Sequence, residues 1–215
     1  GARSAAGNSI EDIAQLCQYA KQFGVKVYVT LNVIVYEHEI DYCQKLITQL
    51  YEAGVDALIV QDMGVLKMDI PPIELHASTQ TDNRTADKVS WLKSLGFARV
   101  VLARELSLDA IKAIHKEEPD VELEVFVHGA LCVSYSGVCY VSQHSFGRSA
   151  NRGECAQFCR MSFDLVDSDD REIEHQRHLL SLKDMCRINE LEQLADAGAT
   201  SFKIEGRDRK STRLN

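Results

Sequence analysis

Ser9-Ile-Glu-Asp-Ile-Ala-Gln-Leu-Cys-Gln-Tyr-Ala-Lys-Gln-Phe-Gly-Val-Lys-Val-Tyr-Val-Thr-Leu31 contains one complete structural unit. Ser9 and Asp12 have the spacing of a capping box, in which each side chain satisfies the other residue's free backbone N–H. Ile10, Ile13, Cys17 and Ala20 then recur at helical spacing. Gly24 ends the helix, and the apolar run 25–31 reads as a strand. The same order of helix, glycine and strand recurs down the chain.

Cys43, Leu46, Ile47 and Leu50 stripe a second helix, which Gly54 ends before a strand at 57–60. A short turn near 64–68 leads to a strand at 73–77. A helix over 84–95 and Gly96 precede a strand at 99–103. Ser107 caps a helix burying Leu108, Ile111 and Ile114, followed by a strand at 123–128. Ser181 and Asp184 repeat the capping-box spacing ahead of Ile188, Leu191 and Leu194, then Gly198 and a strand at 202–205. The strands are nearly continuous apolar runs, which implies a parallel sheet buried on both faces.

Crossovers of this length suit a doubly wound sheet or a (β/α)8 barrel. No Gly-x-Gly-x-x-Gly follows a strand, which counts against a dinucleotide fold. Polar residues gather where strands end: Thr30 and Asn32; Gln61 and Asp62; His76, Ser78, Thr79 and Gln80; Arg104 and Glu105; His128; Lys203, Glu205 and Arg207. A barrel collects those ends into one mouth, so the fold expected is an incomplete TIM-type barrel. Its first two strands would lie upstream of Gly1. The last eight residues, 208–215, read like a translated sequencing adapter rather than coding sequence, and the chain is taken as a fragment.

The chain has 215 residues, 45% of them hydrophobic, enough for one sizeable core. The net charge of −8 leaves no global footprint for nucleic acid, so such contact would need a local patch. No apolar run is long enough to span a membrane. Gly1-Ala-Arg-Ser-Ala-Ala6 lacks the apolar core of a secretory signal. Seven cysteines without such a signal point to the reducing cytoplasm.

Four of those cysteines, Cys132, Cys139, Cys155 and Cys159, fall inside one glycine-rich segment, 129–163. Four clustered thiols suggest a metal centre. The spacings, C-x6-C then x15 then C-x3-C, lack the C-x2-C pairs of common zinc ribbons and favour a loop wrapped round an iron–sulfur cluster. Structural zinc, or inert buried thiols, stand as the alternatives. Cys186 is a substitute ligand, although it falls on a helical stretch. Cys17 and Cys43 lie on apolar stripes and read as core. His144, Arg148, Arg152 and Arg160 face a single acid, Glu154, within 141–163. That local inversion of charge suits phosphate or RNA, or else pairing within the protein. His76, His128, Lys203 and Glu205 are acid–base or binding candidates at the mouth. No hydrolase elbow and no His-Glu-x-x-His is present.

Three further stretches make the chain recognisable. Glu124-Val-Phe-Val-His-Gly-Ala-Leu-Cys-Val-Ser-Tyr-Ser-Gly-Val-Cys139, Gly147-Arg-Ser-Ala-Asn-Arg-Gly-Glu-Cys-Ala-Gln-Phe-Cys-Arg160 and Ser201-Phe-Lys-Ile-Glu-Gly-Arg207 resemble the family historically called peptidase U32, or collagenase-like protease. Pro71-Pro-Ile-Glu-Leu-His-Ala-Ser-Thr-Gln80 and Val100-Val-Leu-Ala-Arg-Glu-Leu106 narrow the resemblance to its branch that makes 5-hydroxycytidine in bacterial 23S ribosomal RNA. Sister branches hydroxylate the wobble uridine of transfer RNA or ubiquinone precursors. The resemblance covers residues 1–207.

It implies a barrel, RNA base hydroxylation, and an iron–sulfur cluster (4Fe-4S) on Cys132, Cys139, Cys155 and Cys159, with Cys186 as alternative ligand. It also implies prephenate as a linked metabolite, and further strands and domains outside this chain. His76, Gln80, Arg104, His128 and Glu205 are then the expected contacts to substrate or oxygen donor. Arg148, Arg152 and Arg160 are the expected RNA phosphate contacts. A metal-water peptidase and a non-catalytic metal module are the rival readings.

Overall fold

A computed structural model describes residues 8–205; the stretch 208–215 and Arg207 lie outside them. The opening unit forms as its sequence dictates. Helix α1 spans Ile10–Lys21, and its N-terminus is closed by Ser9 Oγ accepting from the Asp12 N–H at 3.1 Å while the Asp12 carboxylate accepts from the Ser9 N–H at 3.2 Å. Strand β1 is Tyr28–Leu31, three residues shorter at its start than its apolar run. Then follow α2 (Ile40–Glu52), β2 (Ala57–Val60), β3 (Glu74–Ala77), α3 (Ala86–Ser94), β4 (Arg99–Val101), α4 (Leu108–Glu117) and β5 (Glu122–Gly129). After the cysteine-rich segment, which carries the short helix α5 (Val141–Phe146), come β6 (Phe163–Val166) and β7 (Glu172–Arg177). The short strand β8 (Met185–Cys186), helix α6 (Leu191–Asp196) and β9 (Ala199–Ile204) complete the chain.

Strands β1, β2, β3, β4, β5 and β9 pair in chain order, and every one of those pairings is parallel. Chain order without a reversal is the winding of a half-barrel sheet, not of a doubly wound one. The short β8 pairs antiparallel with the end of β5, His128 opposite Cys186, beyond the point where β4 stops. The hairpin β6–β7 forms a separate sheet.

One expectation needs correction. Ser181 and Asp184 cap no helix: α6 begins at Leu191, and the stretch before it makes β8 and a 3₁₀ turn. Cys186 therefore sits on a strand rather than a helix. The central strands are buried on both faces, as their apolar runs imply, but the two faces bury different residues. Leu58, Val60, Ala77, Val100, Leu102, Leu123, Val125 and Val127 join Ile13, Ile47, Leu50, Val89, Leu92, Ile111 and Ile114 of the helices in the core. The opposite face buries Ala57, Ile59, Val101 and Phe126 beside His76 and Glu124, and also carries Tyr28, Glu74, Arg99 and Lys203. Glu124, 5% exposed, accepts from Lys203 Nζ at 2.6 Å and Arg99 Nη1 at 3.2 Å. Arg99 also reaches Glu122 at 2.7 Å. In such a strand the period-2 alternation of Glu122-Leu-Glu-Val is the signature of two unlike faces.

Candidate functional site

The cysteine-rich segment lies across the C-terminal ends of the strands, fastened at four places. Beyond β1, Ile34 N–H donates to the Asn151 carbonyl at 3.0 Å, and Arg152 grips Glu39 with both terminal nitrogens at 2.6 and 2.7 Å. Beyond β3, Arg84 stacks 3.8 Å over the Tyr135 ring, and Gly137 lies on the backbone of Gln80. Beyond β4, the Ser136 N–H donates to Glu105 at 3.4 Å. Beyond β5, Arg160 donates to the Leu131 carbonyl at 2.6 Å and to Ser181 Oγ at 2.9 Å. The segment is thereby held to the mouth from one side of the sheet to the other.

Two of these fastenings have measurable consequences. Gly137 has φ +84°, and a Cβ there would come 2.0 Å from the Gln80 carbonyl oxygen. Gly137→Ala is expected to cost at least about 2 kcal/mol at this contact, through left-handed strain alone. The check is faster amide exchange across residues 131–160 with the sheet amides unchanged. The Arg152 hydrogen bond, together with the Tyr36 backbone N–H, lowers the Glu39 carboxyl to about 2. A carboxyl depressed on folding stabilises the clasp above its unfolded value near 4.3 and loses that contribution as pH falls through the folded one. The clasp should therefore hold below pH 4 and open only towards pH 2, read from the Glu39 side-chain carbon shift.

The thiols divide as follows. Cys17 and Cys43 are buried on α1 and α2, and burial raises both thiols. Cys132, Cys139, Cys155, Cys159 and Cys186 all reach the surface and are unbonded. Cys132 follows β5 by three residues. Its thiol is raised first by desolvation, and Cys159, Cys155 and Glu205 act on it in the same direction while Arg104 opposes them. Cys155 and Cys159 stand near enough to act on the charge of Cys132. Arg160, next to Cys159, holds the carbonyl of Leu131, next to Cys132. Cys186 enters the same neighbourhood from β8, opposite His128. Among the described residues no three of these thiols have sulfur atoms within 4.8 Å of one another. Far from the mouth, Asp164, Glu172 and His175 do bring ligand atoms that close, on the exposed hairpin, where the imidazole is 3.1 Å from both carboxylates.

The mouth beneath the segment is polar. Gln61 Nε2 donates to the Gln80 carbonyl and to Asn151 Oδ1, each at 3.4 Å. A recess of about 390 Å³ is lined by Ile34, Gln61, Asp62, Gln80, Lys88 and Val138 among others. Asn32 Oδ1, Gln61 Oε1 and Arg104 Nε are buried without a hydrogen-bond partner, and all three stand at strand ends. Arg104 pairs with Glu205 at 3.0 Å and lies 3.8 Å over the Phe126 ring. His128, on the last turn of β5, keeps an exposed side chain.

Some expected contacts are not available. His76 has 0% exposure. It lies one layer below the mouth, with Nε2 2.6 Å from Glu74 and its ring edge-on to Tyr28 at 4.8 Å. Burial holds its imidazole below the ordinary value against the Glu74 hydrogen bond. It is part of the inner face rather than a substrate contact. Arg152 and Arg160, expected at RNA phosphate or else paired within the protein, are paired within it: their guanidiniums hold Glu39 and Ile34, and Leu131, Ser181 and Leu182, respectively. Arg148 is exposed, with no side-chain hydrogen bond or ion pair among the described residues. Sequence reasoning missed Asn83, fully buried and donating to the Ser78 and Val101 carbonyls at 2.9 and 2.8 Å. It ties the β3 turn to β4, and an Asn after a short turn gives no periodic signal.

Comparison with known proteins gives this geometry a lineage. The chain is 56% identical over 207 residues to the 23S rRNA 5-hydroxycytidine C2501 synthase of Escherichia coli (strain K12), covering 96% of this chain and 32% of that protein. It is 37% identical to the tRNA hydroxylation protein P1 of Bacillus subtilis (strain 168), covering 96% and 51%. It is 36% identical to a collagenase of Porphyromonas gingivalis, covering 97% and 53%. The chain thus spans between about a third and a half of these relatives. The family model described as Peptidase family U32 matches residues 1–215. A half-barrel sheet whose strand ends are roofed by a cysteine-bearing segment is the form this match takes here, and the chain belongs to peptidase family U32.

Proposed function

We propose that this chain forms part of the catalytic barrel of an RNA base hydroxylase that makes 5-hydroxycytidine in 23S ribosomal RNA. The observation that carries the reading is the 56% identity to the synthase across 96% of the chain. The in-order parallel sheet supports a full (β/α)8 barrel in the longer protein, with its mouth under the cysteine segment. We place the protein in the cytoplasm, where ribosomal RNA is made accessible to it.

The thiols fit an iron–sulfur cluster, which we take to be 4Fe-4S. Thiolates are soft donors that select zinc or Fe–S centres. Tetrahedral zinc at a Zn–S distance of about 2.3 Å would hold its sulfurs roughly 3.8 Å apart, closer than three of these thiols come. Cys132, Cys155 and Cys159 would hold the cluster, with Cys139 or Cys186 as fourth ligand. When bound, it supplies one-electron chemistry beside the mouth. The chain's own residues then bind and orient the base: Gln61, Gln80 and Asn32 from the strand ends, with exposed Arg148 as the phosphate contact. Prephenate is the metabolite on which the reaction would depend.

The test is mass spectrometry of ribosomal RNA from a strain lacking the full-length gene. Loss of one oxygen mass from a single cytidine supports the reading. Unchanged ribosomal RNA with a change in transfer RNA moves the target to the wobble uridine. Unchanged RNA with lost gelatin cleavage moves the activity to peptide hydrolysis. Blocking prephenate synthesis should reproduce the loss.

A further inference from the structure

We infer that Arg104 is a positioning residue for the thiol-bound centre: its buried Nε–H is the donor held for the sulfur of Cys132, with Glu205 as its counterweight. The inference rests on the cluster reading above and assigns Arg104 a role other than substrate contact.

Arg104 is fixed from two directions. Its Nη2 donates to Glu205 at 3.0 Å, and its guanidinium carbon lies over the Phe126 ring, 3.8 Å from the centroid. Those two contacts set the plane of the fork, and Nε is left buried with no acceptor among the described residues. An unpaired buried donor costs about 1–3 kcal/mol, more when charged, so such a group persists where a partner is supplied on loading. The other inner-face cations have acceptors: Arg99 has Glu122 and Glu124, and Lys203 has Glu124. Of these three, Arg104 is the one with a buried donor atom left without a partner among the described residues.

The corner it occupies is the one from which Cys132 departs. The Glu205 N–H donates to the His128 carbonyl at 2.8 Å. The next residue, Gly129, lies so close that a Cβ would come 2.7 Å from the Glu205 Cβ. Cys132 follows three residues on from this contact. Guanidinium N–H groups complement anionic acceptors, and hydrogen bonds and charges at ligating sulfur are the levers by which a protein sets a cluster's potential. A donor and positive charge at that sulfur favour the more negative, reduced cluster. A carboxylate drawing that charge away does the reverse.

The experiment is a dye-mediated potential titration of the anaerobically purified full-length protein, with iron and sulfide content measured alongside. Arg104→Gln should move the midpoint to lower potential. Arg104→Lys, which keeps the charge but loses the Nε donor, should move it less in the same direction. Glu205→Gln should move it to higher potential. A purely structural role would not give opposite signs for the two partners. Equal midpoints in all variants, or shifts of one sign, overturn the inference while leaving the cluster standing. If Arg104→Gln sheds its iron, the opposed shifts of Arg104→Lys and Glu205→Gln decide. Wild-type protein that holds no iron overturns both this inference and the cluster reading.

Discussion

Glu124→Gln should destabilise the protein by about 3 kcal/mol, the low end of the cost of breaking a buried ion pair from one side. The Glu124 side chain is 6% exposed and lies between Lys203 and Arg99, with Ser201 Oγ 3.3 Å away. Removing its charge strands Lys203, which pairs with no second carboxylate among the described residues, whereas Arg99 keeps Glu122. That difference, together with the 28% exposure of Lys203, puts the cost at the low end. Denaturant unfolding reads it directly, and an unchanged midpoint would mean the inner-face pairs are ornamental. A triple replacement of Arg99, Glu124 and Lys203 by apolar residues of similar size should recover much of the loss, because no unpaired charge remains. The loss should also depend on pH. Burial pushes the Glu124 carboxyl up, but Lys203 and Arg99 together outweigh it and leave it below its ordinary value. Its contribution is therefore complete above about pH 4.3 and fades as pH falls from there. Acid should narrow the gap between wild type and Glu124→Gln.

That inner face explains where sequence reading succeeded and where it stopped. Helix stripes and glycine stops are local, and α1, α2, β2 and the crossover order follow from them. The charges on the inner face looked like exceptions in apolar strands because each has its partner on a neighbouring strand. Arg99 and Glu124 are 25 residues apart, and Lys203 is 79 from Glu124. Spacing along the chain carries no trace of such pairs. His76 shows the same limit from the other side. It stands at a strand end in sequence, but β3 runs on to Ala77 and the turn after it, so the imidazole falls below the mouth. For Arg152 and Arg160 the sequence left phosphate and pairing within the protein open, and the structure shows such pairing. A local excess of arginine says that acceptors are near, and here they are the Glu39 carboxylate and backbone carbonyls. The stretch around Cys186 misled for a chemical reason: Ser181-Leu-Lys-Asp184 has the letters of a capping box, but the pairing of β8 with β5 outbids a helix start there.

Serine at Cys132, Cys155 or Cys159 should each abolish the cluster and with it all 5-hydroxycytidine, the largest functional loss expected of any single replacement. The expectation follows from the loop's fastening rather than from cysteine count. Cys132 follows β5 by three residues, and the Arg160 hydrogen bond to the Leu131 carbonyl joins the residues next to Cys159 and Cys132. Cys155 shares the field at Cys132. The fourth ligand is a contest between two elements. Cys139 belongs to the same segment, two residues past the Gly137 contact with Gln80. Cys186 comes from β8, level with His128 and four residues short of Cys132 along β5. Iron and sulfide analysis of anaerobically purified full-length Cys139→Ser and Cys186→Ser proteins separates them. Loss in Cys139→Ser with full retention in Cys186→Ser keeps the ligands within one segment, and the loop could then close on iron before β8 pairs. The reverse result makes the β5–β8 pairing a condition of cluster binding, and weakening that pairing should then release iron. Retention of a full cluster in Cys132→Ser would dismantle the assignment altogether, because every other ligand was placed by its relation to that residue.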